Sequence, residues 1–428
     1  MASGPSADVL AGLKIIDADS HWTEAPDLWT SQVPSHLASQ VPVQRTIDGV
    51  TSWYVNDELW ASTGGNTIRS DGTKVLGSAM IQPFSEIDSS ASVVKDRLQL
   101  MDQIGLFAQV LYPNAIGFAS NHIFAIEDDA QRQLVLQVYN DHLVEVQQES
   151  GGRLIPQAML PVWDMDLTIN EMTRLIDLGI RGFTLSGNPE LLGLPELPEP
   201  YFDPMWDLFN ESGAVPNFHI ASGRSRQEME DSRAKTSIEM KEAEDRGASG
   251  SAENRAPSAS EVPLVVGPSW RMLGPQRRQT VQGIQGFLSN ARIVLNLCTS
   301  DLFDRYPNLK IVSVESGIGW VPFLVEAMEH QFAESVTHPQ ELALAKRHPV
   351  EYLRDHIYVM FWFESTAAIK RLDDVGVRNV MVETDIPHPT CLFPNTSEYF
   401  ASVLADIPRQ QARRILQDNA AELYRIDV

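Results

Sequence analysis

Asp19 and His21 stand one residue apart at the end of the apolar run LKIIDAD, and His219, Glu315, Glu364, Asp385 and His388 each follow other short apolar runs. In an extended chain residues i and i+2 face the same way, so Asp19 and His21 can address one point. Imidazoles and carboxylates are the donors that nitrogen- and oxygen-binding divalent cations take. Ionisable groups are costly to bury unpaired, and a cation balances several of them at once. These residues therefore read as a metal centre built from Asp19, His21, His219 and Asp385, joined by Glu315, with Glu364 and His388 as further ligands. Asp385 and Glu315 are the candidate catalytic residues, since a carboxyl group beside a cation can move protons.

Such a centre needs a frame that brings distant run-ends together. Apolar runs recur at 13–19, 108–112, 154–160, 179–185, 215–220, 310–314, 357–363 and 380–384, with helical spacing at 93–104, 128–149 and 167–178 between them. Gly213 after FDPMWDLFNES is a helix C-cap signal, and 409–424 reads as a closing helix. Strands alternating with helices predict an α/β fold, a (β/α)8 TIM barrel whose strand C-termini converge on one face. An open doubly wound sheet is the competing architecture. It usually carries a Gly-rich phosphate turn after its first strand, and DADSHW is not one.

The chain reads as a single TIM-barrel catalytic domain over 1–428, with insertions after strands one and five. Residues 35–92 form an excursion with a hairpin-like stretch at Asp48-Gly49. Residues 224–262, rich in Arg, Glu, Ser, Ala and Gly, predict a mobile loop or solvated helix, serving either as a lid or as a surface insertion.

Other polar residues are weaker candidates. His122 follows strand two and can reach substrate, whereas His142, His330, His338, His348 and His356 lie in helical or linking segments and read as surface residues. Trp22, Trp163, Trp320 and Trp362 sit near strand ends, as pocket walls or as packing. Glu24, three residues after His21, is a ligand, an acceptor for the N–H of a ligating imidazole, or a helix first-turn carboxylate. A length of 428 residues with 43% hydrophobic content supports a sizeable core. A net charge of −24 argues against sequence-independent binding to nucleic acid or anionic membrane, which needs excess Lys and Arg. Cys298 and Cys391 fit a reducing compartment, and no apolar run reaches the ~20 residues that span a bilayer. The expectation is a cytoplasmic enzyme acting on a small molecule, and a homo-oligomer.

The segments DADSHWTEAPDLW, RLQLMDQIGLFAQVLYPN, YPNLKIVSVESGIGWVPFLVEAM and ETDIPHP, in this order between Ile16 and Tyr424, resemble the amidohydrolase-2 branch of the amidohydrolase superfamily. That resemblance implies a TIM barrel with a metal on Asp19, His21, His219 and Asp385, in a branch of hydrolases and nonoxidative decarboxylases of aromatic acids. The branch commonly places a histidine after strand six, where this chain has Glu315. Carboxylate-rich surroundings suit Fe or Mn more than a lone Zn, and they supply enough anionic ligands for two metals.

VESGIGW, FWFES and ETDIPHPTCLFP together resemble a narrower group, the TIM-barrel nonheme diiron monooxygenases typified by the hydroxylase of platensimycin and platencin biosynthesis. That likeness implies two Fe ions, dioxygen, and an external electron donor or reductase. The reaction would hydroxylate an unactivated C–H bond of a hydrophobic, diterpenoid-like substrate carried as an acyl-CoA thioester. On this reading Trp320 and Phe363 line an apolar pocket, and Arg45, Arg69, Lys74 or Arg97 receive phosphates. The competing readings are a metal-dependent hydrolase with one Zn or Mn and Asp385 as proton shuttle, a nonoxidative decarboxylase, and a non-catalytic binding protein. Glu315 counts against the decarboxylase.

Overall fold

The computed structural model describes residues 9–47, 50–77, 81, 83–118, 122–222 and 273–428. Its strands in chain order are β1 (Ile16–Trp22), β2 (Val43–Ile47), β3 (Val50–Val55), β4 (Glu58–Ser62), β5 (Ala108–Pro113), β6 (Leu154–Met159), β7 (Gly182–Thr184), β8 (Val215–His219), β9 (Ile311–Val314), β10 (Ile357–Phe361) and β11 (Val380–Val382). β1 and β5 to β11 pair in parallel and close into a barrel in the order β1-β11-β10-β9-β8-β7-β6-β5. The expected (β/α)8 barrel is present, and each apolar run supplies one of its strands.

The runs are apolar throughout because a parallel strand under helices is buried on both faces. Ile16, Ala18, Ala108, Val110, Ile155, Val215, Val312, Val314, Met360 and Met381 form the interior cluster. The closing helix Asn419–Tyr424 adds Ala420, Ala421, Leu423 and Tyr424 to it. Alternate residues such as Leu154, Phe218, Ile311, Val359 and Val380 belong to the outer cluster, which includes Leu136 and Tyr139 of helix Asp129–Glu149 and Leu353 of helix Pro349–His356.

The register of β1 decides what reaches the site. Asp17 pairs with Gln109 and Ser20 with Leu111, so Ala18 and Asp19 together stand opposite Val110. Such a bulge exchanges the faces of a strand. Before it, Ile16 and Ala18 face the interior. After it, Asp19 and His21 do. Asp17 is left facing outward, where Gln109 Nε2 (2.7 Å) and Thr384 Oγ1 (2.6 Å) donate to its carboxylate.

Between β1 and β5, strands β2, β3 and β4 form an antiparallel sheet outside the barrel. Ile47 stands opposite Val50, the pairing expected of a hairpin at Asp48-Gly49, two residues outside the described set. Aromatic packing joins this sheet to the barrel. The Trp29 ring meets Trp53 edge-on at 4.9 Å and stacks on Tyr139 at 6.2 Å, while its Nε1 donates to Val135 O at 3.0 Å. Trp29→Ala is expected to cost about 3–5 kcal/mol, read as a lowered urea midpoint for the whole chain. An unchanged midpoint would show that this sheet does not share in the barrel's stability. The 224–262 insertion lies outside the described residues. Among the described residues no helix is long and apolar enough to cross a membrane.

Candidate metal centre

Asp19 and His21 come from β1, His219 ends β8, Glu315 follows β9, and Asp385 and His388 follow β11. Their ligand atoms form two overlapping sets, Asp19–His21–His219–Glu315 and His21–Glu315–Asp385–His388, in each of which all atoms lie within 4.8 Å of one another. Asp19, His21, His219 and Asp385 are fully buried.

Each imidazole has one nitrogen fixed on the side away from the centre. His21 Nδ1 lies 3.0 Å from Pro113 O, His219 Nδ1 2.8 Å from Ile220 O, and His388 Nε2 3.1 Å from Asn114 Oδ1. The Asn114 amide is oriented by its own contacts, donating to Thr23 Oγ1 and accepting the Gly65 N–H. Carbonyl oxygens only accept, so these nitrogens carry the protons and the other three present lone pairs inward.

Those lone pairs meet carboxylate oxygens. His21 Nε2 is 3.3 Å from Asp385 Oδ1 and 3.7 Å from Asp19 Oδ1. His219 Nε2 is 3.1 Å from Glu315 Oε2 and 3.8 Å from Asp19 Oδ2, and His388 Nδ1 is 3.0 Å from Asp385 Oδ1. Lone pair against lone pair repels, and both oxygens of Asp19 and of Asp385 are buried with no hydrogen-bond partner. A divalent cation turns every one of these contacts into a shared ligand set. The residues fit such an ion.

The proton affinities follow the same crowding. Burial, then the charges of Glu383, Asp385 and Glu315, raise Asp19 well above the usual carboxylate range. Burial first and a neighbouring carboxylate second raise Glu315 and Asp385 likewise. Burial lowers His21 well below the usual imidazole value, His219 to about 3 and His388 to about 4, which keeps all three neutral and ready to ligate.

Glu315 and Asp385 have φ of 52° and 58°, a left-handed backbone that costs a non-glycine residue about 1–3 kcal/mol. For Glu315 the reason is visible in the strand. Val312 and Val314 face the barrel interior, so an extended Glu315 would point towards the surrounding helices. The positive φ returns its carboxylate to the centre.

Several expected residues stand elsewhere. Glu364 is in neither ligand set; its Oε1 accepts the N–H groups of Ile318 (2.5 Å) and Gly319 (3.2 Å), presented by a turn through Gly317 at φ 64°. Glu24 takes none of the three roles open to it. It is fully buried and accepts the N–H groups of Asn114 (3.3 Å), Ala115 (2.8 Å) and Ile116 (3.1 Å). It thereby fixes the loop that carries Asn114 and Phe118. Glu24→Gln places an amide N–H against those donors and is expected to cost about 1–3 kcal/mol, measured by chemical denaturation. No loss would mean that the loop is held by packing alone.

Trp320 is buried with its Nε1 on Ser316 O at 3.0 Å, while Phe363 is 50% exposed and stacks on Phe287 at 5.1 Å. His122 packs against Trp60 at 6.0 Å, outside both ligand sets. Arg97 receives no phosphate: it is fully buried and donates to Ser90 O, His21 O and Gln109 Oε1. Arg45 pairs with Asp57, Arg69 with Glu86, and Lys74 donates to Cys391 O. His356 is not a surface residue, because its ring is buried on Phe303 with Nδ1 2.7 Å from Leu309 O. His142 is half-buried and accepts from Trp22 Nε1.

Three residues at the centre are not among those the sequence predicts. Glu383 is fully buried, its Oε2 accepting the Glu315 N–H at 3.0 Å and its Oε1 without a partner. Its signal was the Glu383-x-Asp385 spacing, the same alternation as Asp19-x-His21. Phe118 stacks on His219 at 4.0 Å and lies 5.2 Å from His21, and Asn114 holds His388; both follow β5 in the segment PNAIGF.

A parallel eightfold barrel with a buried imidazole–carboxylate centre at its strand ends defines a metal-dependent TIM-barrel enzyme. The amidohydrolase-2 family model, described as Amidohydrolase, matches residues 108–426, and the chain belongs to that family. It is 24% identical over 363 residues to the gamma-resorcylate decarboxylase of a Polaromonas species, covering 80% of this chain and 91% of that one. Among solved structures it resembles an amidohydrolase from Mycobacterium avium subsp. paratuberculosis, with TM-score 0.65, 17% identity, and 96% and 99% of the two chains covered. It also resembles a dihydroxybenzoic acid decarboxylase from Polaromonas with bound manganese and the inhibitor 2-nitroresorcinol, with TM-score 0.59, 20% identity, and 97% of each chain covered. None of these three is a diiron monooxygenase, so the comparisons establish the family and not the narrower likeness.

Proposed function

We propose that the chain is a nonoxidative decarboxylase of a hydroxylated aromatic acid, working with one divalent cation of the manganese class. The observation that carries this reading is that His21 belongs to both ligand sets. Its single inward lone pair, at Nε2, can serve one cation only, which supports one ion shared by the two sets. The decarboxylase relatives, one of them holding manganese, support the reaction class.

A bound divalent cation would fix the substrate's carboxylate and neighbouring oxygen and draw off charge as the carbon–carbon bond breaks. The chain's residues do the rest. Phe118, flat against His219, offers a wall on which an aromatic ring can lie. Asp385 is the carboxyl group placed to hold and pass a proton, because its Oδ1 faces the ring nitrogens of His21 and His388 and leaves Oδ2 uncommitted. Asp385 Oδ2, which has no hydrogen-bond partner, holds that proton and gives it to the ring carbon. The electron pair of the broken C–C bond forms the new C–H bond, and the carboxyl carbon leaves as CO2. Glu315, with Oε2 3.1 Å from His219 Nε2, offers the cation a carboxylate where the branch commonly has a histidine.

The test is metal analysis combined with anaerobic assays on 2,6-dihydroxybenzoate and 5-carboxyvanillate, followed by chromatography of the decarboxylated phenol. One manganese per chain and turnover without oxygen are expected. A strict need for oxygen would overturn the proposal.

Glu315 in place of the histidine favours a second reading. Its carboxylate adds an anionic donor beside Asp19 and Asp385, and such a set would supply enough charge to hold the two irons of a nonheme diiron monooxygenase. That enzyme would use dioxygen and an external reductant to hydroxylate a hydrophobic, CoA-linked substrate. Two irons per chain with substrate-dependent oxygen uptake would establish it.

A further inference from the structure

Carboxylates that follow β10 and β11 hold the turn after β9 by its amides. Glu383 Oε2 accepts the Glu315 N–H at 3.0 Å, and Glu364 Oε1 accepts those of Ile318 and Gly319 at 2.5 and 3.2 Å. Neither glutamate belongs to a ligand set. Between them lies the left-handed pair of the turn, Glu315 at φ 52° and Gly317 at φ 64°. Glycine adopts that conformation freely, but Glu315 does not, and a strained backbone persists only where its surroundings over-determine it. The acceptor on the Glu315 amide supplies that constraint. Glu383 can supply it because Met381 and Glu383 face the barrel interior on β11 and its extension, across from the strand end that carries Glu315.

We propose that Glu383 is a positioning residue. By accepting the Glu315 amide proton it locks the backbone turn that brings the Glu315 carboxylate to the cation, while Glu364 braces the far half of the same turn. The inference rests on the reading of Glu315 as a cation ligand. It assigns Glu383 a role through hydrogen-bond acceptance, which a glutamine shares and a leucine does not.

The test uses the full chain, stripped of metal and titrated with Co(II), whose visible absorption bands report ligand geometry independently of turnover. Wild type, Glu383→Gln, Glu383→Leu and Glu315→Ala are compared, with thermal melting as a check of folding. The Gln variant is expected to reproduce the wild-type bands. The Leu variant is expected to shift them and to weaken cobalt binding about 10–100-fold, as loss of a supporting partner does, matching Glu315→Ala. Wild-type bands in the Leu variant alongside altered bands in Glu315→Ala would overturn the role of Glu383 and leave Glu315 a ligand. Wild-type bands in Glu315→Ala would overturn both. If the Leu variant fails to fold, the Gln variant decides: loss of the bands despite its retained acceptor overturns the proposal, and their retention upholds it.

Discussion

Asp385→Asn is expected to lower turnover about 10²–10⁴-fold while the protein still binds its cation. The substitution keeps the shape of the side chain and the oxygen that faces His21 Nε2 at 3.3 Å and His388 Nδ1 at 3.0 Å. It removes the second oxygen, which is buried without a partner and is the atom assigned to carry the proton to the ring carbon. An amide nitrogen has no proton to give at neutral pH. The backbone should hold, since the Asp385 N–H stays on Asp19 O at 2.9 Å. Metal content and kcat are measured on the same preparation. Near-normal kcat with full metal would show that Asp385 only ligates. Metal and kcat falling together would make ligation its first duty and move the acid to Glu315.

The barrel was legible because parallel strands buried on both faces leave unbroken apolar runs, and a run such as VPNFHI is readable without knowing its neighbours. The residues at the run-ends were legible for the same reason: polar groups just beyond such strands fall at the active face. What escaped was whatever depends on pairing between segments. The alternation Asp17-x-Asp19-x-His21 suggests one common face, yet the bulge against Val110 turns Asp17 outward. No local pattern encodes that register. Arg97, in the amphipathic stretch 93–104, is expected from the sequence to receive a phosphate. It is buried because the outward-facing Gln109 and the His21 carbonyl need a donor between strand and helix.

Glu364 and Glu383 show the limit most clearly. Both are carboxylates at strand ends, and the sequence favoured Glu364 because it visibly terminates FWF. Whether such a group meets an ion or an amide depends on the turn after β9, where Gly317 aims its neighbours' N–H groups at Glu364. Glu383 lay hidden within VMVET, one residue inside what looked like plain strand.

Removing the cation is expected to destabilise the folded chain substantially. At a free ion concentration about a thousand times Kd, binding to the native state alone contributes roughly 4 kcal/mol, and a chelator takes that contribution away. The centre has little means of relaxing once empty. His21 and His219 are tied through Nδ1 to the carbonyls of Pro113 and Ile220, so their lone pairs stay aimed at Asp19, Glu315 and Asp385. Glu315 and Asp385 are fixed by backbone hydrogen bonds to Glu383 Oε2 and Asp19 O. Melting temperature is measured with chelator, after manganese is restored, and in His219→Ala under both conditions. The wild type should melt lower with chelator and recover with metal, and the variant should respond weakly to either. A wild-type melt indifferent to chelation, with metal loss verified, would sink the metal centre as a structural element. The interior packing of Val312, Val314, Met360 and Met381 against Tyr424 involves no ligand, so barrel secondary structure should survive stripping even as the strand-end face loosens.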